Sequence, residues 1–203
     1  VLESGSLKCN EQVEALIDEH RRNDIKRNHS VTHLLHKALK IVLGDHVEQK
    51  GSLVDNLKTR FDFSHTRPIS NDEIHKIESI VNNEILTNKV TTTEMMSIDK
   101  AKESGALMLF GEKYDSEVRV LNIGNSIELC GGTHVSNTGD IGLFKIYSET
   151  GVASGVRRIE GVTGLNLIKF LNDQEEILTR VSKDLNTKAS EIPTKVSSLL
   201  SQL

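Results

Sequence analysis

The longest amphipathic pattern in the chain lies near its start. Residues 18–44 contain no proline and no glycine before Gly44, which suits a C-terminal helix cap. The apolar positions of this segment mostly recur three or four residues apart: Ile25, Leu34, Leu35, Ala38, Leu39 and Val42. The pattern therefore predicts one long helix with an apolar face.

Four more helical segments are predicted further along the chain. Ser70 and Glu73 have the spacing of a capping box, which opens a helix over 71–89. Residues 97–106 predict a short helix, and residues 166–185 are helical and strongly charged. A last amphipathic stripe follows: Ile192, Val196, Leu199, Leu200 and Leu203.

Alternation of apolar and polar residues predicts the strands. Residues 11–18 and 57–63 alternate with a period of two. Residues 117–130 predict two strands that are joined by a hairpin turn at Gly124-Asn125. Further strands are predicted over three segments: 90–97, 142–149 and 155–162.

Together these elements predict an α+β protein, with mixed helices and antiparallel sheet, followed by a C-terminal helical tail. Leu171, Leu178 and Leu185 lie seven residues apart in the tail, as in the seam of a coiled coil. Glu175 and Ser182 lie between them, which favours ordinary helix packing over an assembly role.

Composition narrows the class of protein. No apolar run among the 203 residues is long enough to cross a bilayer, so no membrane partner is expected. Cys9 and Cys130 are far apart and do not indicate a disulfide framework, which favours a reducing cytoplasm. The chain starts at Val1 without a signal-peptide pattern, so we expect it to be part of a longer protein.

Three histidines in the first predicted helix are candidate metal ligands. His29 and His33 are four residues apart and share a helix face, while His36 follows three residues after His33. Two imidazoles at such spacing can reach one ion, but spacing alone does not choose the pair. A solvated helix face is the alternative interpretation.

Cys130 and His134 form a second candidate half-site. Gly131 and Gly132 lie between them, and glycine tolerates backbone angles that other residues avoid. Each half-site alone has an ordinary interpretation, a buried cysteine or a plain turn, but their coincidence favours a shared ion. Sulfur with nitrogen ligands favours Zn²⁺ over Mg²⁺ or Ca²⁺. A structural and a catalytic zinc are both compatible with this ligand count.

Six motifs stand in one order along the chain: "RNHSVTHLLHKAL", "VEQKGSLV", "RFDFSH", "FGEKY", "LCGGTHV" and "GVRRIEGVTG". Over about residues 10–165 they resemble the editing domain of alanyl-tRNA synthetases, which also has free-standing trans-editing relatives. The resemblance implies three parts: the end of a preceding β-barrel (1–18), the editing domain (19–165) and the start of the C-terminal helical region (166–203).

The resemblance also implies the chemistry. In this family the HxxxH and CxxxH motifs bind zinc, which implies His29, His33, Cys130 and His134 as ligands and leaves His36 a structural role. The implied reaction is hydrolysis of the ester that joins serine or glycine to the 3′ end of alanine tRNA. The implied partners are this mischarged tRNA and the rest of the synthetase chain, in the cytoplasm.

Other site residues are implied in the same way. Thr32 matches a family threonine that discriminates serine from alanine, and Gln49 matches a glutamine that lines the editing pocket. Arg157 matches an arginine near the tRNA path, and Gly131 and Gly132 are expected beside the substrate. On spacing alone, Thr32 can bond back to its own helix, and Gln49 is a loop residue before a turn glycine.

Basic residues and net charge constrain how RNA can bind. The net charge of −4 argues against wholesale nucleic-acid coating, and aromatic residues are too few for stacking platforms. Arg157-Arg158 and an N-terminal cluster can contact phosphates, although neighbouring acidic residues favour a merely solvated face. The cluster comprises Arg21, Arg22, Lys26 and Arg27.

Two functions from different classes follow. The first is a zinc-dependent aminoacyl-tRNA deacylase, in which zinc either activates the attack on the ester or anchors the terminal adenosine. The second is a zinc-stabilised tRNA-binding module without hydrolytic activity. The segment 64–70, "SHTRPIS", receives no role.

Overall fold

The computed structural model describes residues 4–108 and 114–202. The helices are α1 (Glu19–Leu43), α2 (Asn71–Leu86), α3 (Ile98–Glu103), α4 (Gly164–Asp184) and α5 (Ile192–Leu200). The strands are β1 (Gln49–Val54), β2 (Thr59–Ser64), β3 (Thr92–Ser97), β4 (Glu117–Ile123), β5 (Ser126–Leu129), β6 (Phe144–Ala153) and β7 (Val156–Thr163). Short 3-10 turns cover Thr138–Ile141 and Ala189–Glu191.

The strands form two antiparallel sheets. The larger sheet has the order β1-β2-β7-β6, and the smaller one has the order β3-β4-β5. The predicted hairpin at Gly124-Asn125 joins β4 to β5, and Gly124 adopts the positive φ that such a turn requires. The predicted α+β class with antiparallel sheet is therefore confirmed.

Helix α1 holds the two sheets together. It contacts β1, β2 and β7 of the larger sheet and also β4 and β5 of the smaller one, besides packing on α2. Its apolar face is buried, as the helical spacing predicted. The core around it comes from both sheets and from α2, and its fully buried side chains include Phe61, Phe63, Ile77, Val81, Leu121, Ile123 and Ile159.

The ends of α1 follow the signals in the sequence. The Asp18 carboxylate accepts a hydrogen bond from the Arg21 backbone N–H at 3.0 Å, which satisfies one of the free donors of the first turn. Gly44 ends the helix with a φ of 116°, and its N–H bonds to the Lys40 carbonyl. Both ends lie within one residue of the predicted segment 18–44.

The predicted capping box at the start of α2 is present. Ser70 accepts from the Glu73 backbone, and the Glu73 carboxylate accepts from the Ser70 N–H at 2.9 Å. Arg67 also donates to both carboxylate oxygens of Glu73, at 2.5 and 2.8 Å. The Arg67 hydrogen bonds, followed by the Ser70 N–H, hold the pKa of Glu73 well below its ordinary value. Within the segment 64–70, Arg67 thus has a structural role that the sequence did not indicate.

Two local predictions are wrong. Residues 11–18 alternate as a strand does but form no strand, because Val13, Leu16 and Ile17 are exposed and find no sheet to pair with among the described residues. Conversely, Gln49 and Gly51 belong to strand β1 and not to a loop and turn. The ladder with β2 has a bulge between Gln49 and Gly51, where Lys50 is the extra residue, and this irregular strand resembles a turn in the sequence.

The tail is helical, as predicted. Helix α4 runs from β7 and buries Leu167, whereas Leu171 and Leu178 are about half exposed. Of the motifs, residues 110–113 of "FGEKY" lie outside the described part of the chain, as does Leu203. Within residues 4–108 and 114–202, no helix combines the length and the apolar character that a bilayer crossing requires.

Candidate metal centre

Four predicted ligands lie together between α1 and the end of β5. His29 and His33 project from one face of α1, Cys130 directly follows β5, and His134 lies in the loop beyond it. One nitrogen or sulfur atom from each of the four lies within 4.8 Å of those of the other three. This arrangement can hold a metal ion, and His36 is not part of it.

The distances inside this cluster fit a tetrahedral ion. The Cys130 Sγ lies 3.5 Å from the Nε2 atoms of both His29 and His134, and the Nε2 atoms of His33 and His134 are 3.2 Å apart. A zinc ion with Zn–N bonds of about 2.0–2.1 Å and a Zn–S bond of about 2.3 Å requires tetrahedron edges of roughly 3.3–3.6 Å. Three edges are therefore already close to the bound geometry.

The two glycines of the loop differ in function. Neither Gly131 nor Gly132 has a positive φ, so unusual backbone angles do not explain them, contrary to the sequence argument. A Cβ atom on Gly132 would overlap the Cε1 atom of His29, whereas a Cβ atom on Gly131 would meet open space. Gly132 is thus required for the close approach of the His29 ring to the loop.

Arg119 holds the loop in place. Its guanidinium donates hydrogen bonds to the carbonyls of Cys130 and Gly132, at 3.0 and 2.7 Å. The Cys130 N–H in turn donates to the Arg119 carbonyl at 3.1 Å. Strand β4 therefore fixes the backbone on both sides of Gly131, and the Cys130 sulfur is oriented before any ion binds.

The outward nitrogens of the histidines differ in their partners. The His33 Nδ1 lies 2.7 Å from the Glu128 carboxylate, and the His29 Nδ1 lies 3.3 Å from the Thr133 carbonyl. The buried His134 Nδ1 has no hydrogen-bond partner among the described residues. For His29 and His33, these contacts leave Nε2 free to face the cluster.

Sequence reasoning missed Glu128. The residue lies on β5 with a relative exposure of 6%, and its carboxylate bonds to His33 and to the Ser126 hydroxyl. The alternation along β5 gave no signal for it, because the polar residues Ser126 and Glu128 are buried while the apolar residues Ile127 and Leu129 lie on the half-buried face. A glutamate on the buried face of a strand needs a partner, and here that partner is a candidate metal ligand.

The environment of the cluster shifts the pKa values of its members. Burial opposes ionisation of the Cys130 thiol, but hydrogen bonds with His134, His29 and His33 outweigh it and lower the pKa of the thiol to about 3. Burial likewise opposes protonation of His33, but Cys130 and Glu128 outweigh it and raise its pKa to about 9. A thiolate, which is the form that binds metals, is therefore stable here at neutral pH.

A cavity of about 620 Å³ adjoins the cluster. The ligands His29, His33 and Cys130 form one part of its wall, together with Thr32 and Gln49. The remaining lining residues are His36, Lys40, Val47, Glu48, Ser52, Leu107, Met108, Tyr114, Glu128 and Leu129. The cavity is large enough to hold a small substrate group beside the metal ligands.

Thr32 bonds back to its helix, as the alternative interpretation anticipated, and also to the larger sheet. Its Oγ1 donates to the Asn28 carbonyl at 2.8 Å and lies 2.7 Å from the Thr59 Oγ1 on β2. A carbonyl can only accept, so the Thr32 proton goes to Asn28 and the Thr59 hydroxyl donates to Thr32. Thr32 can therefore offer only an acceptor lone pair to the cavity.

Arg157 and Arg158 are both paired with acids, and in the N-terminal cluster Arg27 is paired with Asp24. Arg157 donates through Nε and Nη2 to the Glu149 carboxylate, at 2.5 and 2.6 Å, and only 16% of its side chain is exposed. Arg158 makes a similar two-pronged pair with Asp62. A phosphate at Arg157 would have to compete with the carboxylate of Glu149.

Comparison with known proteins supports the resemblance. Residues 118–160 match the family described as "Threonyl and Alanyl tRNA synthetase second additional domain". The chain is 54% identical, over all 203 residues, to the alanine–tRNA ligase of Albidiferax ferrireducens. It is 56% identical over 199 residues, or 98% of its length, to that of Polynucleobacter asymbioticus.

These matches cover all or nearly all of the chain but only part of each relative. The chain spans 23% of the length of each of the two alanine–tRNA ligases. The matched stretch 118–160 contains Glu128, Cys130 and His134, and the full-length matches add the α1 histidines His29 and His33. The chain therefore belongs to the alanyl-tRNA synthetase family, in the region of its editing domain.

Proposed function

We propose that the chain is a zinc-dependent deacylase that hydrolyses seryl and glycyl esters of alanine tRNA. The observation that carries the proposal is the position of the four-residue cluster, of which His29, His33 and Cys130 line a cavity that Thr32 also lines. The similarity to alanine–tRNA ligases supports alanine tRNA as the substrate. The size of the cavity supports a small aminoacyl group on that tRNA. We further propose that the domain acts as part of a longer synthetase in the cytoplasm.

The donor set supports zinc. One thiolate and three imidazoles suit Zn²⁺, and the nitrogen–nitrogen and sulfur–nitrogen distances lie near tetrahedral edges. His29, His33, Cys130 and His134 would hold the zinc ion, which would supply Lewis acidity to polarise an ester carbonyl or acidify a water. The residues of the chain would orient the ester: Thr32 would meet the amino-acid side chain, and Gln49 on β1 lines the same cavity.

The hydrogen bonds of Thr32 support selection of serine over alanine. Thr32 lines the cavity, and its remaining lone pair can accept a hydrogen bond from a serine hydroxyl but gains nothing from an alanine methyl. The methyl group also displaces any water that would otherwise satisfy Thr32, which leaves a buried acceptor unpaired. Glycine leaves room for that water, so a glycyl ester escapes the same penalty.

Few basic side chains are proposed to contact the phosphates of the tRNA directly. Arg157 remains our candidate for a phosphate contact, with Glu149 as its competitor. Gly131 and Gly132 remain our candidates for residues beside the substrate: Gly131 leaves open space next to Cys130 for the terminal adenosine, whereas the space beside Gly132 is filled by the His29 ring. Weak and salt-dependent binding of the isolated domain is the expected consequence.

The test compares alanine tRNA charged with serine, glycine or alanine. With the zinc-loaded chain, we expect release of serine and glycine well above the uncatalysed rate and release of alanine close to that rate. Cys130→Ala is expected to abolish hydrolysis, whereas Cys9→Ala changes the second, exposed cysteine and serves as the matched control. Circular dichroism of both variants tests whether they are folded.

A closed structural zinc is the basis of the second candidate function. The cluster consists of four protein side chains, and structural zinc sites usually fill all four coordination positions with protein. This candidate is a tRNA-binding module without its own hydrolysis. It predicts that tRNA binding persists while release of serine, glycine and alanine all stay at the background rate, and that outcome would overturn the deacylase proposal.

A further inference from the structure

We propose that Glu128 is a positioning residue of the metal centre, which holds His33 in the tautomer and orientation that bind the ion. The role goes beyond the ligand set, because Glu128 does not belong to the four-residue cluster. The inference rests on the proposed zinc centre but not on the proposed hydrolysis.

The contact with His33 determines which nitrogen carries the proton. The Glu128 Oε2 lies 2.7 Å from the His33 Nδ1, a distance typical of a strong N–H···O bond to a carboxylate. Because the carboxylate can only accept, the neutral ring carries its proton on Nδ1. Nε2 is then left with a lone pair, and it points to the cluster, 3.2 Å from the His134 Nε2.

The carboxylate is itself held in place. The Ser126 hydroxyl donates to the other oxygen, Oε1, at 2.8 Å, and the His36 Nδ1 lies 3.5 Å from the same atom. Glu128 is 6% exposed, and His33 and His36 are similarly buried, so the group has no freedom to turn toward solvent. His36 thereby gains a role as a neighbour of this carboxylate and not as a ligand.

The balance of charge favours a divalent ion. As ligands of an ion the three imidazoles are neutral and contribute no charge, whereas the Cys130 thiolate and the Glu128 carboxylate contribute one negative charge each. An ion of charge +2 therefore neutralises the centre, in a buried setting where uncompensated charge is costly. Without Glu128, the centre with its ion would carry a net positive charge.

Glu78 provides a matched control. It is also a buried glutamate, with a relative exposure of 8%, and it also joins a helix to a strand. Its carboxylate accepts from the Ile146 N–H and from Lys145, both at 2.8 Å, and it is not part of the cluster. If Glu128 only stabilised the fold, Glu78→Gln and Glu128→Gln would have the same kinds of effect.

The test measures the zinc affinity of the full chain by competition with a chromophoric chelator. We expect Glu128→Gln to weaken zinc binding about 10- to 100-fold, and Glu78→Gln to leave it unchanged. In the cobalt-loaded protein, Glu128→Gln is expected to shift the visible absorption bands, which a purely structural change elsewhere does not move. Ser126→Ala, which removes only the support of Oε1, is expected to weaken binding by a smaller factor.

The outcomes are distinguishable. If the wild-type chain binds no zinc, the proposed metal centre itself fails. If the wild type binds zinc and Glu128→Gln binds it equally well, the positioning role alone is overturned. If Glu128→Gln does not fold, Ser126→Ala decides, and zinc affinity equal to that of the wild type overturns the role. A failure to hydrolyse charged tRNA has no bearing on any of these measurements.

Discussion

Thr32 on α1 and Thr59 on β2 share a buried hydrogen bond of 2.7 Å between their hydroxyl oxygens. Thr32 also donates to the Asn28 carbonyl, and the Asn28 side chain accepts from Thr163 on β7 at 2.8 Å. A polar chain thus runs from the cavity wall into the larger sheet. It fixes the Thr32 hydroxyl as an acceptor, which is the property that the proposed selection of serine requires.

The Thr32–Thr59 pair is expected to show strong coupling in stability. Thr32→Val or Thr59→Val alone leaves a buried hydroxyl without one of its partners, at a cost of about 1–3 kcal/mol in the free energy of unfolding. The double variant removes both hydroxyls, so its loss should be clearly smaller than the sum of the two single losses. Urea unfolding of the four proteins measures this coupling, and strictly additive losses would contradict the hydrogen bond.

Thr32→Val is also expected to reduce selectivity. The valine methyl group no longer accepts from a serine hydroxyl and no longer leaves an unpaired acceptor beside an alanine methyl. The ratio of serine to alanine release should fall by about 5- to 150-fold, the equivalent of about 1–3 kcal/mol. Thr32→Ser keeps the hydroxyl and should preserve most of the ratio. An unchanged ratio in Thr32→Val would remove Thr32 from the selection of serine.

Gly132→Ala is expected to damage the metal centre, whereas Gly131→Ala is its control. A methyl group at position 132 overlaps the His29 ring and displaces it from the cluster, but a methyl group at 131 meets open space. We expect zinc affinity to fall at least about 10-fold for Gly132→Ala and to stay near the wild-type value for Gly131→Ala. Competition with a chromophoric chelator measures the zinc affinity of both variants. Equal losses of affinity would mean that the flexibility of the loop matters and not the overlap with the His29 ring.

Stability is expected to fall in acid through Glu73. Its pKa in the folded protein is lowered from the ordinary value of 4.5, chiefly by the Arg67 hydrogen bonds, so the carboxylate stabilises the fold above that value. This contribution is lost as pH falls through the folded pKa, where the carboxylate takes up a proton. At about pH 7, the midpoint of thermal unfolding should be higher for the wild type than for Glu73→Gln. This difference should shrink toward about pH 3. A difference that grows in acid would contradict the assignment.

Local patterns predicted much of the fold correctly. The predicted caps at Gly44 and Ser70 act within a few residues, so the sequence carried enough information to place the end of α1 and the start of α2. The segment 11–18 shows the limit of such reasoning. Its alternation is genuine, but a strand also needs a neighbour, and none pairs with it among the described residues.

Some features of the candidate site likewise follow from the local sequence, whereas others depend on the tertiary structure. The sequence by itself determined the shared face of His29 and His33 and the proximity of Cys130 to His134, because four-residue spacings are governed by local backbone geometry. Only the tertiary structure decided the partners of Glu128 and Thr59, which contact His33 and Thr32 across 95 and 27 residues of chain. Such contacts depend on how α1 packs between two sheets, and no local pattern of apolar and polar residues encodes that packing.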